Sequence, residues 1–588
     1  MYYSNGNYEA FARPRKPAGV EAKSAYLIGA GLASLAAAAF LIRDARMPGM
    51  RIHVLEALDL PGGACDGIKD AQKGFIIRGG REMEDHFECL WDLFHSIPSL
   101  ETPEASVLDE FYWLNKDDPN VSLVRATVRR GEDAHTDGKF ALSPAASQEI
   151  MKLFFAREGD LEGKAITDVF GREFFTSNFW LYWRTMFAFQ PWHSAIEMRR
   201  YLQRFVHHVG GLPDFSALKF TKYNQYESLI KPLVAYLESH HVTFEYGVTV
   251  TNVIFDTGPT KLARRIVCTR GGREDRIDLT ADDLVFITPG GCAENSTLGD
   301  HHTAPAFDVP ARGGWDLWRQ IAAQDPSFGR PATFCSDPAR SNWESATITV
   351  FGDEIPPYIE KVCRRDPFSG KVVTGGIVTV KDSGWLMSYT LNRQPHFADQ
   401  PKDQLVVWVY GLFTNRPGTY VRKAMRDCTG EEITREWLYH LGVPVGRIDA
   451  LAATSARCVP CMMPYVTAFF MPRRAGDRPK VVPDGCVNAA FIGQFAETPR
   501  DTVFTTEYSV RTALEAVYTL LGVDRGVPEV FGSCYDVRVL LDAMSKLADG
   551  ATLAEMAVPL PVKAARGPLL KKLIGTLIGD LLHRYRLM

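Results

Sequence analysis

A glycine-rich turn near the N-terminus carries the clearest chemical pattern in this sequence. Gly29, Gly31 and Ser34 stand in a G-x-G-x-x-S arrangement, and Glu56 follows 25 residues after Gly31. The first glycine permits a tight turn, the second lets the backbone approach a pyrophosphate, and a small third residue lets a helix pack on its strand. A carboxylate at this distance accepts hydrogen bonds from ribose hydroxyls. The spacing predicts a dinucleotide site in which serine replaces the usual third glycine.

Two further glycine turns follow the acidic residue and favour FAD over NAD. They span residues 60–64 and 74–81. Backbone of this kind can wrap along a longer dinucleotide toward a flavin ring, and Arg78 or Arg81 would complement its phosphates or the electron-rich end of the flavin.

These residues need a strand, a helix and a second strand to position them. Residues 25–28 form an apolar run typical of a buried parallel strand, the alanine-rich segment after Gly31 predicts a helix, and residues 51–56 predict a second strand. That order is a βαβ unit. Later segments predict returns to the same sheet: a helix over 226–240 followed by alternating runs over 242–246 and 248–255, a strand over 283–287, and a strand over 489–492 before a helix from about 506.

The predicted fold class is α/β, with a nucleotide-binding domain assembled from discontinuous segments. The predicted boundaries are an N-terminal arm over 1–22, an FAD-binding domain over 23–100, 223–294 and 481–522, a substrate-binding domain over 101–222 and 295–480, and a helical C-terminal region over 523–588.

Composition excludes several classes of protein. The 588 residues are 46% hydrophobic and 23% charged, which excludes disordered, collagen-like and small disulfide-rich chains. A formal net charge of −4 gives no global attraction to nucleic acid, so no nucleic-acid partner is predicted. Eleven irregularly spaced cysteines and a polar N-terminus without an apolar signal predict thiols in the cytoplasm. No segment has the length and flanks of a transmembrane span.

Other reactive residue types give weaker signals. His193, His207 and His208 have no matching carboxylate or cysteine spacing, so they are interpreted as structural and no metal site is predicted. Cys458 and Cys461 form a single CxxC, interpreted as incidental thiols. The aromatic run over 174–205 suits either a pocket for a long acyl chain or an aromatic core.

The C-terminal segment over 568–588 predicts an amphipathic helix. Apolar pairs recur every four residues, and Lys571, Lys572, Arg584 and Arg586 add positive charge. Such a helix could dock on the protein, cover a dimer partner, or lie on an anionic membrane surface. Peripheral membrane contact is the favoured interpretation.

Several longer motifs resemble those of a known family. Residues 78–84 (RGGREME), the opening over 2–17, the stretch from Asn178 to Tyr201, and residues 501–509 (DTVFTTEYS) are similar to the oleate hydratases, once called the myosin-cross-reactive antigens. The resemblance runs essentially end to end. It implies an amine-oxidase-type (GR2) FAD-binding Rossmann-like domain with an α+β substrate domain.

The resemblance also implies an activity. Members of that family are hydro-lyases that bind FAD, expected to be most effective as FADH2, yet catalyse no net redox change. They add water across the cis-9 double bond of a free unsaturated fatty acid, so oleate would give 10-hydroxystearate, and linoleate is expected as a second substrate. A homodimer in the cytoplasm, peripheral on the inner face of the membrane, is the corresponding expectation.

Family roles carry over onto matching positions. Glu82 matches the acid that orients and deprotonates water, and Tyr201 matches the proton donor to the alkene. The substrate carboxylate would be bound by Gln225, Thr390, Asn392 and His396. With the glycine motif included, the expected cofactor-binding residues are Gly29, Gly31, Ala33, Ser34, Glu56, Gly63, Ala64, Arg78, Gly80, Arg81, Glu82, Val250, Cys292, Gly493 and Ser509. Departures from the family pattern are Ser34, the turn from Thr288 to Cys292 (TPGGC) and Gln494, all in the flavin domain.

The implied roles make chemical sense. Protonating an unactivated alkene with a phenol requires stabilisation of the phenolate, and Arg199 and Arg200, beside Tyr201, could supply a positive field if they point inward. A carboxylate such as Glu82 would accept a proton from water and stabilise the cationic carbon.

Two other function classes stay open at this point. A flavin oxidoreductase of the amine-oxidase or desaturase type would use a similar scaffold, and a non-catalytic lipid-binding protein at a membrane surface would need no turnover.

Overall fold

A computed structural model describes residues 12–65, 67–70, 72–80, 82–552 and 572–587. The strands, in chain order, are β1 Ser24–Ile28, β2 Ile52–Leu55, β3 Ile68–Asp70, β4 Gly74–Ile76, β5 Ala126–Val128, β6 Glu132–Asp133, β7 Thr243–Glu245, β8 Val248–Asp256, β9 Leu262–Arg270, β10 Arg273–Asp278, β11 Asp283–Ile287, β12 Thr297–Leu298, β13 Trp343–Phe351, β14 Val378–Val380, β15 Met387–Thr390, β16 Gln404–Gly411, β17 Ala456–Met463 and β18 Ala489–Phe491.

The α-helices are α1 Leu32–Arg43, α2 Glu88–Phe94, α3 Val107–Asp117, α4 Pro144–Phe155, α5 Arg172–Thr176, α6 Asn178–Phe187, α7 Ala195–Arg204, α8 Lys231–Ser239, α9 Gly314–Ala322, α10 Ala332–Cys335, α11 Pro338–Ser341, α12 Pro356–Cys363, α13 Gly430–His440, α14 Val445–Thr454, α15 Thr506–Leu521, α16 Val537–Leu547 and α17 Leu577–Arg584. One π-helical turn, Tyr226–Ile230, precedes α8.

A five-stranded parallel sheet in the order β18-β11-β1-β2-β7 gathers four separated parts of the chain. This confirms the predicted α/β fold class, in which a nucleotide-binding sheet is assembled from discontinuous segments. The small side chains of α1 are buried from Ser34 to Ala39, which allows the helix to lie close to the sheet. Helix α15 packs on α1; its N-cap Thr505 accepts the Tyr508 N–H, and it ends at Gly522, whose φ is +60°.

One predicted strand lies elsewhere. Strand β8 does not return to the parallel sheet but forms a separate antiparallel sheet with β9 and β10. The alternating pattern of β8 is typical of a strand with one face toward solvent, and such strands favour antiparallel pairing.

A second, mixed sheet of eight strands lies in the predicted substrate-binding segments, in the order β12-β17-β13-β16-β15-β14-β5-β6. The boundaries of the predicted domains stay a prediction. Strand β16 carries Trp408, and its register places Trp408 opposite Thr390 of β15.

The predicted continuous C-terminal helix is wrong within the described residues, because α17 covers only Leu577–Arg584. A turn at Ile574 and Gly575 precedes it, and Gly575 has a φ of +78°, which interrupts a helix. Residues 568–571 and 588 of that prediction lie outside the described ranges, as does the N-terminal arm up to residue 11. Within those ranges, every helix falls short of the length and apolarity that a bilayer crossing needs.

Candidate active site

A cleft of about 430 Å³ opens at the carboxyl ends of β1, β2 and β11. This is where open parallel sheets bind dinucleotides. Eleven of the residues expected to bind the cofactor line it: Gly29, Gly31, Ala33, Glu56, Gly63, Ala64, Arg78, Val250, Cys292, Gly493 and Ser509.

The remaining expected cofactor residues lie elsewhere. Ser34 is fully buried behind the cleft, where its hydroxyl lies 3.3 Å from that of Thr288, so the expectation that it contacts the cofactor is not met by the geometry. Gly80 and Glu82 line a neighbouring cavity. Arg81 lies outside the described residues.

The cleft fits a pyrophosphate-containing ligand. Gly29 has a φ of +87°, which only glycine adopts readily, and a Cβ on Gly63 would lie 3.0 Å from the Cα of Gly31. The two glycine turns are joined by a hydrogen bond from the Gly62 N–H to the Ala30 oxygen. Helix α1 begins after Gly31 without a side-chain cap from the described residues, so its first turn presents backbone N–H groups to the cleft.

The carboxylate of Glu56 is held in place by backbone donors. The Ala30 N–H donates to its Oε2 at 2.6 Å, and the Leu58 N–H donates to its Oε1 at 2.9 Å. Each oxygen retains a further lone pair, so the group can still accept hydrogen bonds from ribose hydroxyls.

Two polar residues of the cleft are not in the expected cofactor-binding set. Gln494 accepts the Cys292 N–H at 3.0 Å, so two departures from the family pattern contact each other. Glu294 also lines the cleft. Burial and the nearby charge of Glu56 raise its pKa to about 7, although a hydrogen bond from the Gly314 N–H acts to lower that pKa. No motif singles out Glu294 in the sequence.

A second, smaller cavity of about 50 Å³ brings Glu82 and Tyr201 together. Its volume suits a few water molecules and is too small for an acyl chain. Phe504, Thr505 and Thr506 line both this cavity and the dinucleotide cleft, so the two spaces share a wall. The pair predicted to act on water and alkene therefore faces one enclosed space beside the predicted cofactor.

Tyr201 is a buried, protonated phenol. Its Oη accepts the Phe504 N–H at 3.1 Å. Burial raises its pKa well above the usual value, whereas the Phe504 N–H lowers it. The side chain thus carries a proton into the cavity at neutral pH.

Arg199 and Arg200 do not supply the expected positive field at Tyr201. Both guanidinium groups end on Glu158, and Arg200 also pairs with Glu497 at 2.7 Å. Their charges are balanced by these carboxylates, and neither arginine lines the cavity.

The aromatic run over 174–205 serves both predicted purposes. Phe187, Tyr201 and Phe205 line the cavity. Most other members, such as Phe174 and Trp183, are buried in the core. The small cavity is thus the edge of an aromatic core.

His207 and His208, interpreted from the sequence as structural, share a carboxylate partner that their spacing does not reveal. The Nε2 atoms of both histidines approach Glu84 Oε2, at 3.4 Å and 3.0 Å. Sequence spacing could not show this, because Glu84 is more than a hundred residues away. The ligand atoms of these three residues lie within 4.8 Å of one another, a spacing that a metal ion can bridge. However, the other carboxylate oxygen of Glu84 lies 2.7 Å from the guanidinium of Arg204, which already balances its charge.

Of the four predicted carboxylate-binding residues, Gln225, Thr390 and His396 are buried and Asn392 is half-buried, and none of them lines the small cavity. Asn224, beside Gln225, donates two hydrogen bonds to the His396 oxygen, at 3.0 Å and 3.1 Å. Thr390 shares a hydrogen bond with Thr374, and Asn392 lies between Thr390 and His396. Burial lowers the pKa of His396 to about 4, so its imidazole is neutral at pH 7.

Trp408 connects one of these residues, Thr390, to the cavity. It pairs with Thr390 across the sheet, and its ring would lie 3.3 Å from a Cβ on Gly80, which lines the cavity with Glu82. Trp408 thus lies next to Thr390 on one side and close to Gly80 of the cavity on the other.

The CxxC does not form a site. Cys458 and Cys461 lie three residues apart on β17 and therefore point to opposite faces of the sheet. Each is buried in a different hydrophobic core. The prediction of incidental thiols agrees with this arrangement.

Comparison with known proteins identifies the family. Residues 22–518 match the model of the MCRA family. An oleate hydratase from Streptococcus pyogenes serotype M49 (strain NZ131) is 53% identical over 593 aligned residues, covering 100% of both chains. A linoleate hydratase from Lactiplantibacillus plantarum is 28% identical, covering 85% of this chain and 94% of its own. Cyclohexylamine oxidase from Brevibacterium oxydans IH-35A shares the fold, with a TM-score of 0.50 at 14% identity over 85% of this chain and 99% of its own. This chain belongs to the MCRA family.

Proposed function

We propose that this protein is a hydro-lyase that adds water across the cis-9 double bond of free unsaturated fatty acids. Oleate would give 10-hydroxystearate, and linoleate would be a second substrate. The observation that carries the proposal is that Glu82 and Tyr201 line one buried, water-sized cavity beside a dinucleotide cleft. The names of the two hydratase relatives support the same substrate class.

Each side chain has one task in the proposed reaction. Tyr201 donates its phenolic proton to one alkene carbon, and the Phe504 N–H stabilises the phenolate that forms. Glu82 removes a proton from water as the water oxygen bonds to the other carbon, and its negative charge stabilises the cationic carbon before that bond forms. A proton then passes from Glu82 back to Tyr201, which restores both groups.

FAD is the proposed cofactor of the cleft. The glycine turns, the first turn of α1 and Glu56 would hold its pyrophosphate and ribose. Bound FAD would supply a rigid wall and local charge rather than electrons, because hydration involves no net oxidation. FADH2 is the form proposed to be most effective. Arg78, whose guanidinium donates to the Gly63 oxygen at 2.6 Å, would link this wall to the loop that carries Glu82.

Gln225, Thr390, Asn392 and His396 are proposed to bind the fatty carboxylate. Gln225, Thr390 and the neutral His396 are buried polar groups, which suits hydrogen bonding to a carboxylate end. The acyl chain would then reach past Trp408 and Gly80 toward Glu82, which requires side chains of the small cavity to move apart.

Product analysis in deuterated water tests the function most directly. The FAD-loaded protein is incubated with oleate and with linoleate, and the products are analysed by mass spectrometry. We expect a hydroxy acid heavier than the substrate by one water, with one carbon-bound deuterium delivered by Tyr201. Glu82→Gln should form no product while retaining the flavin.

The rival classes give different results in the same assay. Substrate-dependent bleaching of the flavin, or oxygen consumption without a hydroxy acid, would replace the hydratase by an oxidoreductase. Binding of fatty acid without turnover by a protein free of FAD would instead indicate a lipid-binding protein.

Membrane-surface contact is proposed for the C-terminal segment. Ile574, Leu577 and Ile578 are 66%, 76% and 56% exposed, and Lys572 and Arg584 lie in the same segment. Exposed apolar side chains beside basic ones suit an anionic bilayer surface. Co-sedimentation with anionic liposomes should fall in Leu577→Ser/Ile578→Ser but not in Leu100→Ser, which alters an exposed leucine elsewhere. Equal binding of both variants would contradict the proposal.

A homodimer and a location in the cytoplasm, at the inner face of the membrane, complete the proposal. Among the described residues no two cysteines are joined in a disulfide, which supports a reducing compartment. Sedimentation velocity over a range of concentrations would distinguish a dimer from a monomer.

A further inference from the structure

We propose that Arg204 is a positioning residue that fixes Glu82 and Tyr201 relative to each other. It would do so through a buried chain of alternating charges that joins the loop of Glu82 to the helix of Tyr201. This inference rests on the proposed function, since it assigns a further residue to the same site.

The chain begins on the loop that carries Glu82. Glu84, two residues further on, is 2% exposed and lies 2.7 Å from the guanidinium of Arg204. Arg204 also donates to the His86 oxygen at 2.7 Å. Although burial opposes ionisation of Glu84, Arg204 with His207 and His208 holds its pKa well below the usual value. Arg204 therefore contacts both a side chain and the backbone of this loop.

Arg204 and Tyr201 belong to the same helix. They stand three residues apart on α7 and so point to neighbouring positions on one side of it. Both are almost completely buried. A movement of the loop away from Arg204 would change the separation of Glu82 from Tyr201 across the cavity.

The chain continues to the segment that contacts the phenol. The Arg204 Nε lies 3.6 Å from Asp501 Oδ1, and Arg511 of α15 lies 2.9 Å from the other oxygen of Asp501. Three residues after Asp501 comes Phe504, whose N–H donates to Tyr201. Arg204 is thus linked through Asp501 to the segment that carries the group proposed to stabilise the phenolate.

Glu507 is the last member of this series of buried charges and connects it to α2. It pairs with Arg511 at 2.8 Å and accepts the N–H groups of Cys89 and Leu90 at the start of α2. Breaking a buried ion pair on one side leaves an uncompensated charge, so such a chain holds its members in one arrangement. The loop of Glu82, helix α7 and the Phe504 segment are held at one point, Arg204.

Three variants and one control test the proposal in the FAD-loaded protein. Arg204→Gln removes the cation, Arg204→Lys keeps the charge without the planar fork, and Glu84→Gln/Arg204→Gln replaces the pair by neutral partners. Arg199→Gln is the matched control, because it alters an arginine of the same helix whose partner, Glu158, does not line the cavity. The measurements are kcat and KM for oleate, bound flavin, and hydrogen–deuterium exchange of peptides covering residues 82–88 and 501–506.

We expect Arg204→Gln to lower kcat about 100-fold with little change in KM, because displacement of reacting groups by about 1 Å costs that much. Exchange should become faster in both peptides, while flavin binding persists. The kcat of Arg204→Lys should lie between those of Arg204→Gln and the wild type. The double variant should recover part of the lost kcat, because Glu84 no longer remains as a buried, unpaired carboxylate. Arg199→Gln should match the wild type.

Other results would overturn the inference. These are a kcat of Arg204→Gln close to the wild-type value, unchanged exchange in both peptides, or an Arg204→Lys variant that folds and equals the wild type in all measurements. If the wild-type protein forms no hydroxy acid, the proposed function fails instead, and the exchange measurements alone decide whether Arg204 anchors the loop.

Discussion

The hydroxyl oxygen of Tyr201 accepts a hydrogen bond from the backbone N–H of Phe504 at 3.1 Å. A phenol that accepts in this way keeps its own hydrogen available to a second partner. The same N–H would strengthen its hydrogen bond as negative charge develops on the oxygen. This arrangement suits a proton donor whose pKa is otherwise raised by burial.

Removing the phenolic hydroxyl should therefore stop the reaction. Tyr201→Phe is expected to lower kcat for oleate at least about 100-fold, the lower range for loss of a general acid, without loss of flavin. Tyr182→Phe is the control, since Tyr182 is equally buried in the aromatic core but does not line the cavity. Product formation is measured by mass spectrometry. Similar rates for both variants would contradict the role of Tyr201.

The close approach of the two glycine turns should control cofactor binding. Gly63→Ala places a Cβ 3.0 Å from Gly31 at a φ of +58°, so it should weaken FAD binding about 10-fold or more. Gly138→Ala introduces the same strain at a φ of +68°, where no described atom lies within 4 Å. Titration by flavin fluorescence compares the two. Equal affinities would show that the contact with Gly31 does not matter.

Protonation of Glu294 should make stability depend on pH. Its pKa of about 7 lies above the usual 4.5, so between these values the folded protein holds a proton that the unfolded chain releases. The contribution of Glu294 to the unfolding free energy is therefore greatest below pH 4.5. It falls by roughly 1–3 kcal/mol as pH rises from there through 7. The difference in unfolding free energy between wild type and Glu294→Gln isolates this contribution. A difference that does not vary between pH 4.5 and 8 would contradict it.

Gln225 should matter for the carboxylate end of the substrate rather than for the chemistry. Gln225→Leu is expected to raise KM for oleate about 10-fold at similar kcat, because it removes a buried hydrogen-bonding group. Oleate methyl ester should bind wild type and variant alike. Gln203→Leu serves as the control, because Gln203 donates its hydrogen bond to the Phe154 oxygen and is not one of the predicted carboxylate-binding residues. A preference for the acid that survives in Gln225→Leu would place the carboxylate elsewhere.

The sequence predicted best where a local pattern carries the chemistry. The βαβ unit, the turn at Gly29 and the acid at Glu56 follow from short-range spacing, and all of them lie at the cleft. Resemblance to a family, rather than periodicity, pointed to Glu82 and Tyr201. Strand β8 was placed in the wrong sheet, because strand pairing depends on distant partners that a local pattern does not encode.

The buried charges were the least predictable part. Arg199 and Arg200 adjoin Tyr201 in the chain, yet their charges are balanced by Glu158 and Glu497, whereas Arg204 reaches the loop of Glu82. Which carboxylate each arginine of a helix reaches depends on tertiary packing. The pairing of Glu84 with His207 and His208 has the same origin.

The wall formed by Phe504, Thr505 and Thr506 borders both the dinucleotide cleft and the cavity of Tyr201. A ligand that orders this wall from one side lowers the entropic cost of binding on the other. Binding linkage is reciprocal. If the bound dinucleotide raises the affinity for fatty acid by some factor, bound fatty acid raises the affinity for the dinucleotide by the same factor. A protein that does not itself exchange electrons with its substrate would in this way still make its affinity for lipid depend on the supply of flavin.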